Sequence, residues 1–152
     1  AATAYNSRGA RYLLNKKYNE AHADFMSALR IDPLYYEAYY NLCVLDNALG
    51  KYEEAAAYCL KAIGINPRCV KAHNSLCSTY GRLGKFAESI AYGQKAIEID
   101  PAYGAAHNNM VAAYYYTQQY DLAIMHSDKA KELGVAVDPE LIARLKELKK
   151  VK

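Results

Sequence analysis

The chain of 152 residues has no tryptophan, two phenylalanines, four prolines and four cysteines. No apolar run approaches the roughly 20 residues that a membrane-spanning helix needs. The first residues, Ala1-Ala-Thr-Ala-Tyr5, lack a basic segment followed by an apolar one, so no signal peptide is expected. Cys43, Cys59, Cys69 and Cys77 form no Cys-x-x-Cys pair and are too sparse for a disulfide scaffold. The expectation is four reduced, mostly buried thiols and a cytoplasmic setting. A net charge of +3 is too small for a nucleic-acid binder. The one basic run, Lys146, Lys149, Lys150 and Lys152, reads as a solvated helix end. No glycine-rich phosphate loop is present, because Gly81-Arg-Leu-Gly84 ends a helix instead of opening one. His22 and His126 have no nucleophile at a meaningful spacing, and no carboxylate pair stands out, so no enzyme is expected.

What is present is a periodic, core-forming chain. The hydrophobic set makes up 53% of residues and the charged set 23%, enough for a packed interior. Sixteen tyrosines supply rings that cover apolar surface and hydroxyls that stay wet, suited to helix wedges and binding faces alike. Pro33, Pro67 and Pro101 stand 34 residues apart. They close the phrases Ala28-Leu-Arg-Ile-Asp-Pro33, Ala62-Ile-Gly-Ile-Asn-Pro67 and Ala96-Ile-Glu-Ile-Asp-Pro101, with a shortened fourth copy at Ala130-Lys-Glu-Leu-Gly134. A second phrase recurs at the same period: Lys17-Tyr-Asn-Glu-Ala21, Lys51-Tyr-Glu-Glu-Ala55, Lys85-Phe-Ala-Glu-Ser89 and Gln119-Tyr-Asp-Leu-Ala123. In each an aromatic opens a helix, and acidic residues sit where the helix dipole favours them.

Each unit therefore reads as two helices, A and B, joined by a tight turn and stopped at a proline. The period predicts repeats at about 2–33, 36–67, 70–101 and 104–134 in one domain spanning 1–152, with helices over roughly 36–49 and 52–65 in the second. A last helix is predicted over about 138–150. Asp138 is its N-cap, Pro139 its first residue, and Leu141, Leu145 and Leu148 form an apolar stripe to cover the fourth repeat.

These residues resemble the tetratricopeptide-repeat family across essentially the whole chain. Tyr5, Gly9, Tyr12, Ala21, Phe25, Ala28 and Pro33 match its pattern in the first unit, with Arg8 a departure. Tyr39, Leu42, Cys43, Ala55, Ala62 and Pro67 match in the second, where Asp46 and Cys59 replace aromatics. Leu76, Cys77, Tyr80, Ala96 and Pro101 match in the third, with His73, Ser89 and Gly93 as departures. Tyr114, Ala123 and Ala130 match in the fourth, where His107, Met110, Val111 and Ser127 are less typical. The ending Lys131-Glu-Leu-Gly-Val-Ala-Val-Asp-Pro-Glu140 is similar to bacterial members. The resemblance implies an all-α, right-handed superhelical solenoid of antiparallel helix pairs, whose A helices line a concave surface that binds protein or peptide segments.

On that pattern the peptide-binding face is expected to hold Asn6, Tyr40, Asn41, Val44, Lys71, Asn74, Arg82, Asn108, Asn109 and Tyr115. Asparagine amides both donate and accept, as an extended peptide backbone requires, and tyrosines supply apolar anchors. Some family members grip a C-terminal carboxylate of chaperone tails with Lys, Asn, Asn, Lys and Arg. The matching positions here are Asn6, Ala10, Asn41, Lys71 and Ser75, of which only Asn41 and Lys71 fit, so that ligand is not expected. His73, Cys77, Cys43 and His107 invite a zinc reading, yet the repeat assigns all four to packing, so no metal and no cofactor is expected. Two other readings stand beside peptide capture: a scaffold that associates with copies of itself, and a regulatory piece of a larger protein.

Overall fold

The computed structural model describes residues 1–151, and among them nine α-helices and no strand are formed. Lys152, the end of the basic run, lies outside the described residues. The helices are α1 (Ala2–Leu14), α2 (Tyr18–Ile31), α3 (Tyr36–Ala48), α4 (Tyr52–Ile65), α5 (Val70–Arg82), α6 (Phe86–Ile99), α7 (Gly104–Tyr116), α8 (Tyr120–Glu132) and α9 (Pro139–Lys150). The A and B helices thus fall where the 34-residue period puts them.

The turn from A to B is built the same way four times. Residues 16, 50, 84 and 118 take positive φ of 58°, 75°, 73° and 61°. The next amide reaches back five residues, as in Lys17 N to Tyr12 O at 2.8 Å and Gln119 N to Tyr114 O at 2.8 Å. These bonds satisfy carbonyls that the helix end would otherwise leave bare. Glycine fills two of the positions, Gly50 and Gly84, while Lys16 and Gln118 fill the other two. The turn from B to the next A is fixed by the Asx-Pro phrase. The side chains of Asp32, Asn66 and Asp100 accept from the amides of Leu34, Arg68 and Ala102 at 3.0, 3.2 and 3.1 Å. Proline then removes the donor that would prolong the helix.

The chain divides into two compact units, Ala1–Ser75 and Leu76–Lys152. In the first, α1 packs on α2, α2 on α3 and α3 on α4. Its core centres on Phe25, Leu29, Leu42 and Leu45, flanked by Tyr12, Tyr39 and Tyr58. In the second, α6 packs on α7, α7 on α8 and α8 on α9. Its core gathers Cys77, Met110, Val111, Tyr114 and Leu145. Leu145 is fully buried and Leu141 packs beside it, so α9 covers the last helix pair as its stripe requires. Asp138 caps α9, its carboxylate accepting from Glu140 N at 2.9 Å.

Within a repeat, the A and B helices meet at a pair of complementary residues. A Cβ on Gly9 of α1 would come within 2.7 Å of the Phe25 ring on α2. Gly93 of α6 leaves room chiefly for Met110 of α7, with Cys77 Sγ of α5 3.0 Å from where its Cβ would lie. In the second repeat the two positions are Cys43 and Cys59, joined as a disulfide with their Cα atoms 5.4 Å apart. The expectation of four reduced thiols is therefore corrected: only Cys69 and Cys77 are free. The cysteine argument for a cytoplasmic setting falls with it. A second difference concerns Tyr5, which matches the repeat pattern in the first unit and would on that pattern be expected to pack. It is 37% exposed, its ring lying 5.6 Å from the Arg8 guanidinium. Arg8 in turn makes a two-pronged ion pair with buried Asp24, at 2.7 and 2.8 Å. The guanidinium holds the Asp24 carboxyl below the usual carboxylate range.

Candidate functional site

Helix α3 carries Tyr36, Glu37, Tyr40, Asn41 and Val44 on one stripe, since residues three and four apart share a face. Tyr36, Glu37, Tyr40 and Asn41 line a pocket of about 390 Å³ in the first unit. Asn6 of α1 forms one wall, and Asn66, Arg68, Cys69, Val70 and Lys71 form another. The Asx turn at Asn66 and the bond from Cys69 N to Asn66 O at 3.1 Å hold this second wall in place. Asn41 Nδ2 donates to Asn6 Oδ1 at 2.9 Å, linking α1 to α3 across the floor. That bond fixes the polarity of both amides. Asn6 is left with its Nδ2 donor and Asn41 with its Oδ1 acceptor, the complement of one peptide group. The lining carries one acidic side chain, Glu37, and two basic ones, Arg68 and Lys71, so its formal charge is mildly positive.

Four of the ten expected residues, Asn6, Tyr40, Asn41 and Lys71, are thus brought together. Three more, Arg82, Asn108 and Asn109, line a pocket of about 470 Å³ in the second unit. Small residues, Ser78, Gly81, Ala112 and Ala136, keep that pocket open, and Asp138 and Leu141 at the start of α9 close one side. Val44 and Asn74 are half-buried. Tyr115 packs against the core cluster of the second unit, with the Arg144 guanidinium 5.8 Å above its ring. The last helix therefore already engages this ring. Reading only the A helices misses Asn66, Arg68 and Cys69, which belong to the inter-repeat turn. It also misses Asp138 and Leu141, which belong to the cap. The signal for the first group is positional, because each Asx-Pro turn delivers the chain to the first residue of the next A helix.

The histidines that invite a zinc reading have packing partners. His73 Nε2 lies 2.8 Å from Pro67 O and His107 Nε2 3.1 Å from Pro101 O, the same contact one repeat apart. A ring nitrogen facing a carbonyl must donate, which makes His107 Nδ1 an acceptor. His126 Nδ1 then donates to it at 2.9 Å. Burial, and secondarily His107, push His126 down to about 4. Among the described residues no group of three or more His, Cys, Asp or Glu side chains could hold a metal ion. Among them, too, no helix is long and apolar enough to cross a membrane.

Two models described as tetratricopeptide repeat match the chain, over residues 12–78 and 70–103. No curated protein matches it in sequence. Solved structures do match in fold. YrrB, described as a TPR protein with an unusual peptide-binding site, aligns with a TM-score of 0.77 at 26% identity, over 97% of this chain and 75% of YrrB. MamA aligns with a TM-score of 0.80 at 23% identity, over 88% of this chain and 78% of MamA. The first TPR of Spaghetti (RPAP3), bound to the HSP90 peptide SRMEEVD, aligns with a TM-score of 0.75 at 21% identity, over 77% of this chain and 93% of that one. At those identities the last two bear on fold alone. Together with the helix order, the matches establish an all-α helical-repeat solenoid.

Proposed function

We propose, because the chain belongs to the tetratricopeptide-repeat family, that it is a protein-interaction module, not an enzyme, and that it holds an extended peptide segment in the pocket between α1, α3 and the start of α5. The family's helical repeats serve protein binding, and YrrB is a relative described by its peptide-binding site. The observation that carries the finer reading is the Asn6–Asn41 pair at 2.9 Å beside Tyr40. A peptide group satisfies both remaining amide positions whatever its side chain, and a neighbouring apolar side chain has the Tyr40 ring to rest on. Arg68 and Lys71 favour a segment with an acidic residue near that point. A chaperone-type C-terminal carboxylate is disfavoured, because Ala10 and Ser75 stand where the grip needs polar and cationic groups. The pocket of the second unit, with Arg82, Asn108 and Asn109, offers a separate stretch of the same chemistry.

The test is a peptide-array screen followed by fluorescence anisotropy. Asn41→Ala and Tyr40→Ala should each weaken the selected peptide by tenfold or more, roughly the hot-spot scale. Glu53→Ala, on an exposed face of a B helix, should bind normally. Normal binding by both groove variants would refute the reading. Self-association is the competing role, and the observation favouring it is the exposure of Leu14 (84%) and Leu34 (69%). Light scattering over a concentration series decides between the two.

A further inference from the structure

The contact point between A and B helices is filled by Gly9 with Phe25 in the first repeat and by Cys77 with Gly93 in the third. In the second it is filled covalently. Cys43 on α3 and Cys59 on α4 are both 0% exposed, and Asn47 Nδ2 lies 3.6 Å from Cys43 Sγ. The bond ties α3 to α4 at a fully buried point and closes a loop between residues 16 apart in sequence. Reduction leaves only non-covalent packing between the two helices and so loosens α3 against α4. Tyr40 lies one helical turn from Cys43 on α3, and Asn41 two residues before it, so the loosened helix is the one that lines the first unit's pocket.

We propose that Cys43 and Cys59 form a redox-set clamp on the second helix pair. A small disulfide donor such as oxidised glutathione closes it. One cysteine thiolate attacks a donor sulfur and expels one glutathione thiolate. The second cysteine thiolate then attacks the resulting mixed disulfide and expels the other. Two cysteine thiols lose two protons and two electrons, and one donor disulfide becomes two thiols. Because both sulfurs are sealed from solvent, the clamp changes state only when α3 and α4 part. It is therefore set during folding or local opening and then held.

The experiment unfolds the whole chain in denaturant, refolds it with oxidised glutathione or with a phosphine reductant, then labels it with iodoacetamide in denaturant. The oxidised protein should take two labels, on Cys69 and Cys77, and the reduced protein four. Reduction should lower the melting temperature by roughly 5–10 °C and speed hydrogen exchange across α3. The variant Cys69→Ser/Cys77→Ala should keep this response in full, and Cys43→Ala/Cys59→Ala should abolish it. Four labels after glutathione treatment would overturn the proposal. So would a melting temperature indifferent to reduction, or a response surviving in the Cys43→Ala/Cys59→Ala variant. These readouts do not depend on a peptide ligand, so they stand or fall apart from the groove.

Discussion

Gly93 of α6 faces Met110 of α7 with no room between them for a Cβ. A methyl group built there would collide with the Met110 side chain and come within 3.0 Å of Cys77 Sγ. A glycine inside a helix costs about 1 kcal/mol relative to alanine, so local propensity alone argues for replacing it. Packing argues the other way and should win. Met110 is fully buried and is met at Cγ and Sδ, not at a freely moving tip. Overpacking of this kind costs about 1–3 kcal/mol. Gly93→Ala is therefore expected to destabilise by up to about 2 kcal/mol in urea unfolding. In the Met110→Ala background the same change should be neutral or stabilising. Equal effects in both backgrounds would remove Met110 as the cause.

The four A-to-B turns make a second, internally controlled prediction. Lys16 and Gln118 hold the left-handed conformation that Gly50 and Gly84 hold in the sister turns. A side chain there costs roughly 1–2 kcal/mol, partly offset by the greater freedom that glycine loses on folding. Lys16→Gly and Gln118→Gly should each stabilise by about 0.5–1 kcal/mol. Gly50→Ala and Gly84→Ala should destabilise by about 1 kcal/mol. A Cβ meets nothing within 4 Å at either glycine, so backbone strain is the only term in play. Thermal melts of the four single variants check both signs.

The helices are legible in the sequence because their stop and start signals recur in register. The Asx-Pro phrase ends α2, α4 and α6, and an aromatic followed by acidic residues opens α2, α4 and α6. The cap is legible because Asp138-Pro139 precedes an apolar stripe. The Cys43–Cys59 bond is not, because its partners lie 16 residues apart on two helices and form no contiguous motif. Only the helix pairing brings them within reach. Tyr115 escapes the pattern for a related reason. Its place on an A helix points it toward the groove, but the side chain of Arg144 on α9 crosses over it. Arg8 reads as a departure from the repeat pattern, and its partner Asp24 turns it into an ion pair.

His126 gives a pH dependence of definite sign. Its folded-state value, about 4, lies below the ordinary 6.5. A base depressed in this way binds protons more readily when unfolded. Its contribution is fully present above pH 6.5 and is lost as the pH falls from there toward 4. The slope should approach about 1.4 kcal/mol per pH unit for one proton. Asp46, whose carboxyl is pushed up by burial, acts with the opposite sign. The clean measurement is therefore the difference between wild type and His126→Gln. Urea midpoints that move in parallel between pH 7 and pH 4.5 would exclude His126 as the source.

Removing α9 is expected to undo the second unit from its end. Leu145 is fully buried, Leu141 packs against the cluster of Met110, Val111 and Tyr114, and Arg144 lies over Tyr115. Burying a leucine fully contributes roughly 1.5–3 kcal/mol, which applies to Leu145, and half-buried Leu141 and Leu148 add a smaller share, so losing the stripe is expected to outweigh the chain entropy recovered by a frayed end. Lys149 adds a surface ion pair to Asp121 at 2.7 Å, which contributes at most about 1 kcal/mol. Termination before Asp138 should therefore lower the melting temperature and leave an apolar face that drives association. Leu145→Ala in the full chain isolates the packing part and should cost about 2–5 kcal/mol. Lys149→Ala isolates the ion pair and should leave the unfolding midpoint nearly unchanged. A monodisperse truncated protein that melts with the full chain would show that α9 rests on the repeat without stabilising it.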